Sequence, residues 1–339
     1  KPMKRSMKSL LGTALVAAAL AAPAQAEIGR HTFKVSNGAA EDHPVSAGIK
    51  GMSECLADKT DGKMKLRGFY NGELGDDAEA TQSVRSGSIE MVVTGAAAIG
   101  GIEPAMSAFE LPFLFDSDAE VDAVMTGPYY DHVAARMPAH DLVLLSIWEN
   151  GFRNMSNSQR PITQWEDFEG MKVRVMQNNI FLDTFSNFGA NATPMSFGEV
   201  FSALETKAID AQENPYVTID TSKFYEVQEY ISETKHAYTP FLFLFSKAIF
   251  NTYSPEEQQA LRDCAIVGRD VERKAIQELN QQSLAKMQEA GLKFNTISPE
   301  DQEEMLEKSQ VVYEKHKDAI GADVVDQVQA ALAELRAGN

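Results

Sequence analysis

Hydrophobic and polar positions change rhythm several times along the chain. An uncharged, Ala- and Leu-rich run covers residues 9–22, behind the four cations Lys1, Lys4, Arg5 and Lys8 and ahead of Ala24-Gln25-Ala26. A charged start, a short apolar core and small residues at the first and third places of the closing triplet mark a secretory leader over residues 1–26. The apolar run falls short of the ~20 residues a membrane span needs. The working chain is expected to begin at Glu27 and to be exported.

From residue 31 to 239 the pattern alternates between periods of two and of about 3.6. Strands are expected over 32–36, 63–70, 89–94, 142–148, 171–176 and 208–212. Helices are expected over 43–60, 78–86, 118–136, 180–188 and 197–206. Strand–helix alternation of this kind builds an α/β fold with helices on both faces of its sheets. The alternation restarts after Asn150, so two α/β units are expected, with a crossing near Asn150-Gly151. Pro240 to Phe250 (PFLFLFSKAIF) is apolar but short and contains Lys247. It reads as a buried strand, not a span.

The last hundred residues are helical in pattern. Ser254-Pro255-Glu256-Glu257 carries a helix-start signature: a Ser cap, Pro in the first turn and Glu three residues after the cap. Only Gly268 interrupts the absence of Gly and Pro up to Gly291. A helix of about 35 residues would be ~50 Å long, more than one domain is wide. It must run along two. Ser298-Pro299-Glu300-Asp301 starts another helix, and 322–336 forms the last.

Charge narrows the partners. Losing the leader takes the formal net charge from -18 to -22. So acidic a surface argues against nucleic acid and anionic membrane. An anionic ligand would need a local cluster of Arg and backbone donors. The two cysteines, Cys55 and Cys264, permit one disulfide in an oxidising compartment, but spacing cannot say whether they meet.

Enzyme signatures are missing. No two of the six histidines have the spacing of a helical zinc pair, and there is no CxxC, GxSxG or P-loop. The chain reads as a non-enzyme with no cofactor and no metal. Gly95 to Gly101 (GAAAIGG) reads as a close-packed small-residue loop.

The informative stretch runs from Gly170 to Pro215. Arg174 sits inside an apolar strand, between Val173 and Val175. Alternation puts it on the opposite face from both. A buried Arg is costly unless its fork meets a carboxylate or phosphate. That partner is either an internal Asp or Glu, or a ligand.

Several segments carry a family resemblance in order: Asn71 to Gly75, Leu111 to Phe115, Trp148 to Arg153, Met171 to Val175, Pro194 to Val200 and Ile209 to Pro215. Together they resemble the solute receptors of tripartite ATP-independent periplasmic (TRAP) transporters, extracellular solute-binding protein family 7. The resemblance implies a two-lobed periplasmic binding protein, type II-like, with a long helix along both lobes. Lobe I is expected over 27–150 plus 240–279, and lobe II over 151–239 plus 280–339. It implies that Arg174 pairs with a ligand carboxylate, that Asn214 adds a hydrogen bond, that Arg153 supplies a second cation and that Phe197 packs on the ligand. Asn37 and Thr94, at strand ends, Glu73, Trp148 and Gln177 are further candidates. The alternative roles are strand ends for Asn37 and Thr94, a solvated turn charge for Glu73 and the core for Trp148.

The segments WENGF and LETKAIDAQENP resemble receptors for sugar acids. A hexuronate or aldonate is therefore the expected ligand, and a C4-dicarboxylate the alternative. The implied partners are a small organic acid and membrane permease subunits. The receptor is expected to act as a monomer.

Overall fold

A computed structural model describes residues 29–338. The leader read over residues 1–26 lies outside the described residues. The chain forms β1 (His31–Asn37), α1 (Pro44–Lys59), β2 (Met64–Phe69), α2 (Asp77–Arg85), β3 (Met91–Gly95), α3 (Asp118–Met125), α4 (Pro128–Arg136) and β4 (Leu142–Asn157). There follow β5 (Lys172–Val175), α5 (Asn179–Asn187), β6 (Asn191–Pro194), α6 (Val200–Glu205), β7 (Ala211–Asn214), α7 (Tyr216–Thr221) and β8 (Tyr230–Ser246). The last part holds α8 (Lys247–Phe250), α9 (Pro255–Glu289), β9 (Lys293–Thr296), α10 (Pro299–Ile320) and α11 (Ala322–Gly338).

One sheet joins both halves in the order β2-β1-β3-β8-β4-β7-β5-β6, with β9 on the outer end of β8. β2, β1 and β3 are parallel, as are β6, β5 and β7. The long antiparallel pair β4–β8 links the two sets. Its register slips between Leu144 and Ser146, Glu149 and Gly151, and Arg153 and Met155. Slips of this kind bend and twist a strand pair. Gly151, at φ 123°, stands opposite Thr239 at the middle slip. Positive φ there favours Gly.

Three expectations change. The helix expected over 118–136 is two, because Gly127-Pro128 ends one and starts the next. The strand expected over 142–148 continues to Asn157, since polar residues beyond Trp148 pair with β7 and β8 instead of entering a loop. The apolar strand at 240 begins at Tyr230 and stops at Ser246, after which 247–250 turn helical.

α9 is 35 residues long, and a full capping box starts it. It lies against α1 and β4 on one half and α7 on the other. Cys55 of α1 and Cys264 of α9 form a disulfide, settling the pairing that spacing left open. Beside it, Gly48 and Gly268 let the helices approach: a Cβ on Gly268 would lie 2.8 Å from the Gly48 carbonyl oxygen.

Residues 312–332 share a core with Phe109, Val121 and Leu144. Lys315 and His316 bond Asp183 of α5 in the second half, while the apolar side of this stretch packs with the first. The amphipathic faces of α10 and α11, with Val324, Val328 and Leu332 one turn apart, find their apolar partners on that side. Met305, earlier in α10, packs with Phe168 and Phe185 of the other half.

Candidate ligand-binding site

The carboxyl ends of both parallel strand sets converge where β4 crosses β8. Open α/β sheets place ligands at such ends. A cleft with about 690 Å³ of atom-free space, part of it open to solvent, lies there. Gly38, Ala39, Gly95, Ala97, Ala98, Asp76 and Asp77 line it from the first half. Arg174, Met176, Gln177, Met195, Ser196, Phe197 and Asn214 line it from the second, and Asn150, Arg153, Thr218 and Phe241 complete it.

Arg174 is the decisive residue. Val173 and Val175 point into an apolar core, which turns Arg174 to the other face of β5. Its side chain reaches the cleft yet is only 3% exposed. Nε and Nη2 donate to the Met195 carbonyl oxygen at 3.0 and 2.7 Å. Nη1 is buried and has no hydrogen-bond partner among the described residues. Burial lowers its pKa to about 10, so the group is cationic at neutral pH. Glu213, Asp77 and Glu199 attract the charge from a distance, but its hydrogen bonds go to one neutral carbonyl; a bidentate anion is the partner its planar fork fits. The Phe197 ring stands 6.0 Å from its Cζ.

Arg153 is already satisfied. It is fully buried and ion-paired with Glu213 through Nε and, at 3.0 Å, Nη2. Nη1 donates to the Thr239 hydroxyl and Nη2 to Asn214 Oδ1, both at 3.0 Å. Burial alone would raise the Glu213 carboxyl, but Arg153 and His236 overcome it and hold it at about 2. The pair is a neutral unit behind the cleft surface. Arg153 was expected as a second ligand cation; in this structure its charge is spent on Glu213.

A polar relay extends from that unit. The Thr218 hydroxyl donates to Asn150 Oδ1, and Asn150 Nδ2 donates to the Thr239 hydroxyl, each at 3.3 Å. His43 Nε2 contacts the Thr218 hydroxyl at 3.3 Å, tying the residue that caps α1 in the first half to α7 of the second. Burial lowers His43 to about 3, so its ring is neutral.

The sequence-derived candidates divide. Arg174, Arg153, Asn214, Phe197 and Gln177 come together in the cleft. Trp148 does not: it is fully buried against Gly48 and Gly268, and its Nε1 donates to the Ala265 carbonyl. Asn37 is internal, donating to the Val93 carbonyl and accepting from the Ala39 amide, both at 2.8 Å, which shapes the Gly38–Ala39 wall. Thr94 is buried behind Asp77. Glu73 is exposed on the turn before α2 and lies off the cleft.

Asp77 was missed. It is the first residue of α2, after the capping residue Asp76. Its carboxylate fits between two glycines: a Cβ on Gly38 would lie 3.1 Å from Oδ1, and one on Gly95 3.8 Å from Oδ2. Burial raises its pKa to about 6, against the Gly95 amide, which lowers it. The signal in the sequence was Asp76-Asp77 at a helix start, where acids are common for helix stability alone.

The family model for bacterial extracellular solute-binding protein, family 7, matches residues 35–319. The chain belongs to that family. It is 34% identical over 283 residues to the 2,3-diketo-L-gulonate-binding periplasmic protein YiaO of Escherichia coli, covering 84% of this chain and 86% of that one. Among solved structures, the sugar acid binding protein DctPAm from Advenella mimigardefordensis, in complex with galactonate, superposes with a TM-score of 0.88 at 40% identity, over 91% of this chain and 99% of that one. A TRAP periplasmic solute-binding protein from Sulfitobacter sp. with bound β-D-galacturonate matches with a TM-score of 0.84 at 31% identity, over 88% and 98%. The cleft between the two halves, with Arg174 in its lining, is the candidate site of this chain.

Proposed function

We propose that this chain is the periplasmic receptor of a TRAP transporter, that it captures a sugar acid, a hexuronate or an aldonate, and that it delivers it to membrane permease subunits. The observation that carries this reading is the buried, half-partnered guanidinium of Arg174 at a cleft between two halves of one sheet. Similarity to receptors solved with galactonate, β-D-galacturonate and β-D-glucuronate supports the ligand class. Among the described residues no helix is long and apolar enough to cross a membrane, in keeping with an exported binding protein.

In this reading the ligand carboxylate takes Nη1 and Nη2 of Arg174, and Phe197 covers the pair. Asn214 has one free amide hydrogen, since Nδ2 also donates to Gln212 at 2.6 Å. It reaches the ligand from the β7 end. Gln177 closes over the rim. The two halves approach about the slips at Asn150-Gly151 and Thr239-Pro240, as hinged receptors do. The receptor works as a monomer and releases its ligand unchanged.

A C4-dicarboxylate is the second reading, since a family member from Sulfurospirillum deleyianum was solved with succinate at 26% identity. Titration calorimetry with galactonate, gluconate, glucuronate, galacturonate, succinate and malate separates them. A sugar acid is expected to bind one-to-one with Kd near or below ~1 μM, about 8 kcal/mol. Heat from succinate or malate alone would replace the first reading with the second. Silence from every acid would overturn both.

A further inference from the structure

The cleft holds two cations and two carboxylates, and their pairing limits what a ligand can be. Among the lining residues the cations are Arg153 and Arg174, and the acids are Asp76 and Asp77. Arg153 has no free charge to offer, because Glu213 neutralises it and Thr239 and Asn214 take its remaining donors. Asp76 is occupied as the cap of α2, accepting from the Glu79 amide at 2.9 Å. That leaves Arg174 with a buried, unpartnered Nη1 and Asp77 with its carboxylate seated between Gly38 and Gly95 on the opposite half.

We propose that Asp77 is the specificity residue of the cleft: its carboxylate accepts hydrogen bonds from ligand hydroxyls and repels a second ligand carboxylate, so that the receptor takes polyhydroxy acids with a single carboxylate and rejects dicarboxylates. The inference rests on the reading of Arg174 as the carboxylate clamp. A dicarboxylate that fills the Arg174 fork must place its other end among groups of the first half. There, among the described residues that line the cleft, it meets no cation beyond Arg174 itself, and it meets Asp76 and Asp77. A hydroxylated chain of similar length presents O–H donors at the same place. A carboxylate is an acceptor only, so Asp77 matches a hydroxyl and opposes another acid. Small residues at Gly38, Ala39, Gly95, Ala97 and Ala98 leave room for the substituted carbons.

Two variants of the full exported chain test this: Asp77→Asn, which keeps the shape and removes the charge, and Gly38→Ala, which keeps the charge and crowds Oδ1. Galactonate and succinate are titrated into each, with circular dichroism and thermal melts to establish folding. Wild type is expected to bind galactonate at least ~100-fold more tightly than succinate. Asp77→Asn should weaken galactonate by ~10- to 100-fold, the cost of losing hydrogen bonds to a charged acceptor, while succinate binding tightens. Gly38→Ala should weaken galactonate in the same direction by less. If folded Asp77→Asn keeps both affinities within threefold of wild type, the assignment to Asp77 is wrong and the Arg174 reading stands. If wild type binds succinate as tightly as galactonate, the exclusion is likewise wrong. If wild type binds neither acid nor any uronate, the reading beneath it fails.

Discussion

Two arginines stand side by side in this molecule and are treated in opposite ways. Arg153, on β4, is buried with its own counter-ion and with acceptors for each of its nitrogens. Arg174, on β5, is buried with a carbonyl oxygen and an empty Nη1. The first arrangement contributes to holding β4, β7 and β8 together. The second costs the protein free energy, which, in the proposed reading, an anion recovers. A buried charge left open is the pattern of a binding site, and a buried charge that is closed is the pattern of a framework.

Removing the partner of the closed arginine should have the largest effect. Glu213→Ala leaves Arg153 buried and uncompensated, and is expected to lower unfolding free energy by ~3–5 kcal/mol in urea titrations. The Glu213 carboxyl is held at about 2 when folded, against about 4.5 ordinarily. Its stabilisation is therefore present above pH ~4.5 and is lost as pH falls towards 2. A folded Glu213→Gln protein should lack that part of the acid limb. A variant as stable as wild type would erase the contrast between the two arginines.

The open arginine should show the reverse profile. Arg174→Ala is expected to weaken acid binding by ~2–5 kcal/mol, while the ligand-free melting temperature holds or rises. Arg174→Lys should recover little, because a point charge lacks the fork. Calorimetry and melts on one preparation read both. A large loss of stability without loss of binding would make Arg174 a framework residue as well.

A smaller effect should come from Glu110, which is buried near the Arg153–Glu213 unit and accepts from Asn178 Nδ2. Burial raises its pKa to about 8, against the pull of Arg153. A carboxyl raised from about 4.5 is neutral when folded, so its contribution is present below pH ~4.5 and is lost as pH rises through about 8. Glu110→Gln should keep the Asn178 bond and flatten stability across that window by roughly 1–3 kcal/mol. Unfolding curves at pH 5 and 8.5 check it. Parallel wild-type and variant slopes would mean Glu110 is ionised and belongs with the paired charges.

The pattern of apolar residues carried the alternating units, the long capped helix and the inward-facing Val173 and Val175, because each follows from local period and capping chemistry. The turn of Arg174 away from that core followed from the same alternation, and its burial came from the fold. Trp148 shows the limit. Its sequence neighbours resemble a site, yet two glycines far away along the chain in either direction, Gly48 and Gly268, draw α1 and α9 close enough to enclose it. Asp77 shows the converse, a residue ordinary in sequence that becomes part of the cleft once β1 and β3 set Gly38 and Gly95 beside it.

By itself, then, the sequence determined most of the longer strands and helices and that Arg174 faces away from the apolar side of β5. Those properties depend on residues a few positions apart. Which arginine is paired, whether Cys55 meets Cys264 and which acid faces the cleft were decided by the tertiary structure. Each depends on groups far apart in the chain, Arg153 with Glu213, Cys55 with Cys264 and Asp77 with Gly38 and Gly95. No local period records such pairings, because the energy of a buried charge is set by whatever the fold brings within a few ångströms of it.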